Sequence, residues 1–142
     1  MTLHPDAAEL PARILIVDDE RQNRALLEVM LGSQGFVLLT AASGEEALAI
    51  VAQRPPPDLI LLDIMMPGMD GYQVVTKIKS DPATRHIPII MLSALDDRNS
   101  IMHGLNAGAE DFLSKPVDRA ELTVRVANLL RLVRDNRSGK KS

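Results

Sequence analysis

Short, almost uninterrupted apolar runs alternate along the chain with longer segments in which apolar residues recur every three or four positions. The first pattern fits a strand buried on both faces, and the second a helix with one apolar stripe. Arg13–Val17 (RILIV), Phe36–Ala41, Leu59–Leu62, Ile87–Leu92 and Asp111–Ser114 are expected as strands. Pro88 must lie near the start of the fourth, because it donates no ladder hydrogen bond. Residues 20–34 place Leu26, Leu27, Met30 and Leu31 at helical spacing and run into Gly35, a residue suited to the turn after a helix. Ser43 and Glu46 form a capping-box pattern for a helix to about Gln53, stopped by Pro55-Pro56-Pro57. Tyr72–Ser80 reads as a helix ended by Asp81-Pro82, and Asp96 or Asp97 caps another that reaches about Ala107. Asp118 and Glu121 repeat the capping pattern before a stripe of Leu122, Val126, Leu129, Leu130 and Val133. Strands and helices in strict alternation imply an α/β domain, a five-stranded parallel sheet with five helices covering both faces.

Composition adds constraints on partners. The chain has 142 residues, 46% of them hydrophobic, which suits one domain with a substantial core. With two Phe and one Tyr that core must be aliphatic, and Met30, Met91 and Met102 fall on its apolar faces. There is no aromatic platform for stacking on bases. A formal net charge of -3 provides no broad basic field, so neither nucleic acid nor membrane is expected as a direct partner. Cysteine is absent, and the N-terminus has neither a basic nor an apolar targeting region, which leads to the expectation of a cytoplasmic protein. His4, His86 and His103 show no metal-ligand spacing and are expected on loops or exposed surface.

In open α/β sheets, ligands bind beyond the carboxyl ends of the strands. Asp18 and Asp19 follow the first strand, Asp63 the third, Ser93 the fourth and Lys115 the fifth. Three carboxylates at one edge are unfavourable without a positive charge among them, and a hard divalent cation such as Mg²⁺ resolves the conflict. The serine hydroxyl and the lysine ammonium are then free to hold phosphoryl oxygens. The set reads as a phosphoryl-transfer site.

VDDE at 17–20, LLDIMMPGMDG at 61–71, MLSA at 91–94 and SKP at 114–116 stand in the order and spacing of a known family. From about Ala12 to Val133 the chain resembles the receiver domain of bacterial two-component response regulators. The resemblance implies a doubly wound, flavodoxin-like (βα)5 fold for residues 12–134, with a tail at 1–11 and a polar tail or truncated linker at 135–142. It implies that Asp63 is the phospho-acceptor, loaded by a sensor histidine kinase or a phosphotransfer protein. Asp19 would bind Mg²⁺ directly and Asp18 through water or through a contact one layer beyond the ligands, with Asp63 and the backbone carbonyl of Met65 as further ligands. Lys115 would pair with the carboxylate and then the phosphoryl group, from a cis Lys115–Pro116 peptide. Ser93 and Phe112 would form the switch that reshapes the face of the fourth helix, fifth strand and fifth helix. That face would act on an output domain or protein, with homodimerisation as one route.

Such a domain is a signalling module rather than a turnover enzyme, catalysing its own phosphorylation and a slow autodephosphorylation. Met65 and Leu95, both apolar, cannot orient an attacking water, which implies a long-lived aspartyl phosphate. A haloacid-dehalogenase-like phosphatase would need a second Asp where Met65 stands. The remaining alternative is a pseudo-receiver, an interaction module that works without phosphorylation.

Overall fold

A computed structural model describes residues 10–94 and 97–139, with side chains as far as Val133. The expectations placed on His4, Leu95 and Asp96, and on the ends of the two tails, lie outside the described residues. The elements are β1 (Arg13–Val17), α1 (Arg21–Leu31), β2 (Val37–Ala41), α2 (Gly44–Val51), β3 (Leu59–Asp63), α3 (Gly71–Ser80), β4 (Ile89–Ser93), α4 (Arg98–Ala107), β5 (Asp111–Ser114) and α5 (Arg119–Gly139). A short 3-10 turn, Gly32–Gln34, replaces the last turn expected of the first helix.

The strands form one parallel sheet in the order β2-β1-β3-β4-β5. Because the order reverses between β1 and β3, their following loops diverge and leave a crevice at the carboxyl edge. Alternate strand residues feed two apolar layers. Leu15, Val17, Ile60 and Leu62 pack with Val51, Val74, Val75 and Ile78 on the α2 and α3 side. Ile14, Ile16, Leu59 and Leu61 pack with Leu27, Leu31, Leu122 and Val126 of α1 and α5. Strands apolar on both faces are therefore required, and each buried aliphatic side chain contributes about 1.5–3 kcal/mol.

Several boundaries differ from expectation for local reasons. Asp70 and Gln73 make a reciprocal capping box, so α3 begins at Gly71. Ser43 accepts a hydrogen bond from the Glu46 N–H at 3.1 Å, but the Glu46 carboxylate turns to the Ala42 N–H instead of closing the box. On α1 only Leu27 and Leu31, four apart, are buried, while Leu26 is 54% exposed. Met102 of α4 is exposed too, contrary to its expected place in the core. The last helix, α5, runs past residue 134 to Gly139, since no glycine or proline interrupts it.

At the opposite end of the sheet Lys79 acts as a clamp. Its ammonium donates to the carbonyls of Arg85 at 3.0 Å and Ile87 at 2.7 Å and to Glu110 Oε2 at 2.8 Å. Glu110 Oε1 in turn accepts from the Ile89 N–H at 2.8 Å, which fixes the start of β4. The Lys79→Met variant is expected to lose about 1–3 kcal/mol of stability, as acceptors are left without their donor. A urea titration would show a lower midpoint at unchanged slope, and an unchanged midpoint would refute the clamp.

Candidate functional site

The crevice gathers side chains from the ends of β1, β3, β4 and β5. Asp18 follows β1 and is fully buried, its N–H held by the Ala41 carbonyl of β2 at 3.1 Å. Asp18 Oδ1 accepts from the Glu20 N–H at 2.9 Å and Asn23 Nδ2 at 3.4 Å. Arg24 donates to the Asp18 carbonyl at 2.8 Å, so the first turn of α1 folds back to brace this aspartate. The other carboxylate oxygen, Oδ2, faces Lys115 Nζ at 3.1 Å.

Asp63 is the last residue of β3 and is 4% exposed. Its Oδ1 lies 3.2 Å from the same Lys115 Nζ, so one ammonium bridges two buried carboxylates. Burial, and then the charge of Asp18, push the Asp63 carboxyl up to about 6, against the opposing pull of Lys115 and the Met65 N–H. Burial also works against the Lys115 charge, yet Asp18 and Asp63 outweigh it and hold its pKa above the ordinary lysine range. One ammonium thus faces two buried carboxyl groups.

Ser93 ends β4 and is fully buried, one register step beyond Leu92, the partner of Asp63. Its carbonyl accepts the Lys115 N–H at 2.9 Å, which ties the two loops together. The Lys115–Pro116 peptide is cis, as is Arg54–Pro55. Phe112, in β5, packs half-buried against the α2 and α3 layer. Met65 is 59% exposed beside the crevice, whereas Met66 is buried beneath it. The β3–α3 connection closes tightly, with Gly71 donating to the Ile64 carbonyl at 2.9 Å. A Cβ at Gly71 would stand 2.7 Å from the Asp63 carbonyl oxygen, so only glycine permits α3 to start there.

The structure therefore brings together Asp18, Asp63 and Lys115, with Ser93 on the adjoining strand end. Among the described residues, the carboxylates that could offer one oxygen each within 4.8 Å of one another are Asp18, Asp19 and Glu20. Asp63 adjoins that set through Lys115 rather than as one of its members. Hard oxygen donors with excess negative charge fit Mg²⁺, which takes one or two carboxylates and completes its shell with water and phosphate oxygens. Glu20, Asn23 and Arg24 were not expected at the site, although their place in the first turn after Asp18-Asp19 was the available signal. On the α1 side of Lys115 lies a cavity of about 380 Å³, lined by Asn23, Leu26, Leu27, Leu92, Pro116 and others.

Residues 14–127 match the family model of the response regulator receiver domain. Response regulator PleD of Caulobacter vibrioides is 51% identical over 122 residues, which cover 86% of this chain and 27% of that protein. The Vibrio cholerae chemotaxis protein CheY4 superimposes with a TM-score of 0.78 at 29% identity, over 84% of this chain and 98% of that one. A chain bearing the description two-component system response regulator/GGDEF domain protein gives a TM-score of 0.81 at 32% identity, over 88% of this chain and 51% of that one. The chain spans about half or less of the length of the curated relatives it matches. No helix among the described residues is long and apolar enough to cross a membrane. With a family model matching residues 14–127 and relatives such as these, the chain, which carries a buried aspartate, a bridging lysine and a buried serine on the strand ends of its sheet, belongs to the receiver domain family of two-component response regulators.

Proposed function

We propose that Asp63 accepts a phosphoryl group from a phosphohistidine of a sensor histidine kinase or phosphotransfer protein. The observation that carries this reading is the single Lys115 ammonium shared by Asp18 and Asp63 at the crevice. An Asp63 oxygen forms the new P–O bond as the P–N bond to the donor imidazole breaks. The electron pair leaves with the imidazole nitrogen, which takes up a proton. Rigid β3 holds the attacking oxygen in place, and Lys115 follows the charge from carboxylate to phosphoryl oxygen. Asp18 and Asp19 are the residues that would hold Mg²⁺, with Asp63 and the Met65 carbonyl completing the protein's share. When bound, the ion supplies neutralisation of the phosphoryl charge.

Ser93, at the neighbouring strand end, is placed to hold a second phosphoryl oxygen, and Phe112 to respond on β5. The apolar cavity beside Lys115, with exposed Leu26 at its rim, suits the docking of a donor helix. The output is a further domain or a partner protein reached through α4, β5 and α5. A phosphorylation-independent module would have no need for this charged bridge.

Incubation with acetyl phosphate, with and without Mg²⁺, tests the reading by intact mass. A single Mg²⁺-dependent phosphoryl adduct is expected, which borohydride converts to homoserine at position 63. No adduct, or one mapped elsewhere, overturns it. The decay of the same adduct without a phosphatase reads its lifetime, and loss within seconds would contradict slow autodephosphorylation.

A further inference from the structure

The β3–α3 connection has no slack, and the residue that follows it reaches a different helix. Gly71 is pressed onto the Asp63 and Ile64 backbone, so a shift of either must move the start of α3. Tyr72 comes next, and its hydroxyl donates to the Ser100 carbonyl of α4 at 3.2 Å. Its ring stacks on His103, one turn further along α4, with centroids 3.8 Å apart and planes 12° from parallel. The approach is close because Gly104 carries no side chain. A Cβ there would stand 2.7 Å from Met91 Sδ and 3.7 Å from the Tyr72 ring. Met91 lies two residues before Ser93 on β4, so α4 is seated against the first turn of α3 on one side and the serine-bearing strand on the other.

We propose that the Tyr72–His103 stack is a clasp that holds α4 in its resting position and couples that position to the state of Asp63. The inference rests on phosphorylation of Asp63 as set out above. Labelling drawn from the displaced arrangement scales with the population of that arrangement, so a contact that favours the resting one slows phosphorylation and its removal speeds it. Neither partner touches the acceptor, so both act as positioning residues. His103 is exposed and can be replaced without opening the core.

Tyr72 is the chain's only tyrosine and there is no tryptophan, so intrinsic emission reports the surroundings of this one ring, and the His103 variants isolate the part due to the stack. A stacked imidazole quenches a phenol, and emission is therefore expected to rise when acetyl phosphate and Mg²⁺ load the wild-type protein. The His103→Ala variant is expected to emit strongly before loading, to change little on loading, and to label about two- to tenfold faster, the factor set by one aromatic stack. His103→Phe, which restores a stacking ring, is expected to return the labelling rate to the wild-type value. An adduct that forms with unchanged Tyr72 emission overturns the clasp and leaves the acceptor reading intact. Wild-type labelling in His103→Ala, or failure of His103→Phe to restore it, does the same. Absence of any adduct on the wild-type protein overturns the acceptor reading, and the coupling with it.

Discussion

The Asp63→Asn variant is expected to carry no phosphoryl group and, in metal-free buffer near pH 7.5, to unfold at a higher temperature than the wild type. The first half follows from chemistry, since a carboxamide offers no anionic oxygen to the phosphorus. The second follows from burial. The Asp63 carboxyl is pushed from 3.8 to about 6 on folding, first by desolvation and then by the charge of Asp18. A carboxyl whose folded pKa lies above its unfolded value binds its proton more tightly when folded. Its contribution to stability is complete below about pH 3.8, declines between there and about 6, and is absent above. The ionised group therefore costs up to about 3 kcal/mol at neutral pH, which the neutral amide does not. The difference in melting temperature between variant and wild type should shrink as pH falls from 7.5 to 4. A variant that melts lower than the wild type at pH 7.5, or a gap that widens on acidification, would contradict this account.

Lys115→Met is expected to act in the opposite sense on stability and strongly on chemistry. Without the ammonium, Asp18 and Asp63 face each other buried and uncompensated, a loss of about 3–5 kcal/mol in metal-free buffer. Phosphorylation from acetyl phosphate should slow by about 10²–10³, the scale of losing one preorganised charge at a developing anion. Adding Asp63→Asn to Lys115→Met should recover part of the lost stability, because one of the two repelling charges is then gone. Strict additivity of the two changes in denaturant titrations would mean that the pair is not coupled through this bridge. Labelling at the wild-type rate in Lys115→Met would remove Lys115 from the transfer step.

Much of this arrangement is legible along the chain because strand ends are. Leu59–Leu62 could only be a buried strand, so Asp63 had to stand at its end, and the same logic places Asp18, Ser93 and Lys115. What was not legible depends on contacts between elements. The turn of α1 that brings Asn23 and Arg24 back onto Asp18 is set by the angle of the helix against the sheet. His103 has nothing around it in sequence to mark it as the partner of Tyr72, thirty-one positions earlier. Leu26 looks like a core residue by spacing, yet neighbouring Leu27 takes the inward position and leaves Leu26 on the cavity rim. The extension of α5 to Gly139 reflects the lack of a stop signal, which polar composition alone had suggested.

The sheet that divides the apolar interior also divides the labour of the molecule. Side chains from α1 and α5 meet one face, and those from α2 and α3 meet the other, with the strand backbones between them. Phe112 packs into the α2 and α3 layer, while Leu27 and Leu31 of α1 share the opposite layer with Leu122 and Val126 of α5. The polar link from α1 to the Lys115 bridge described above runs through Asn23 and Arg24 onto Asp18, so the helix and the crevice share a hinge as well as a wall.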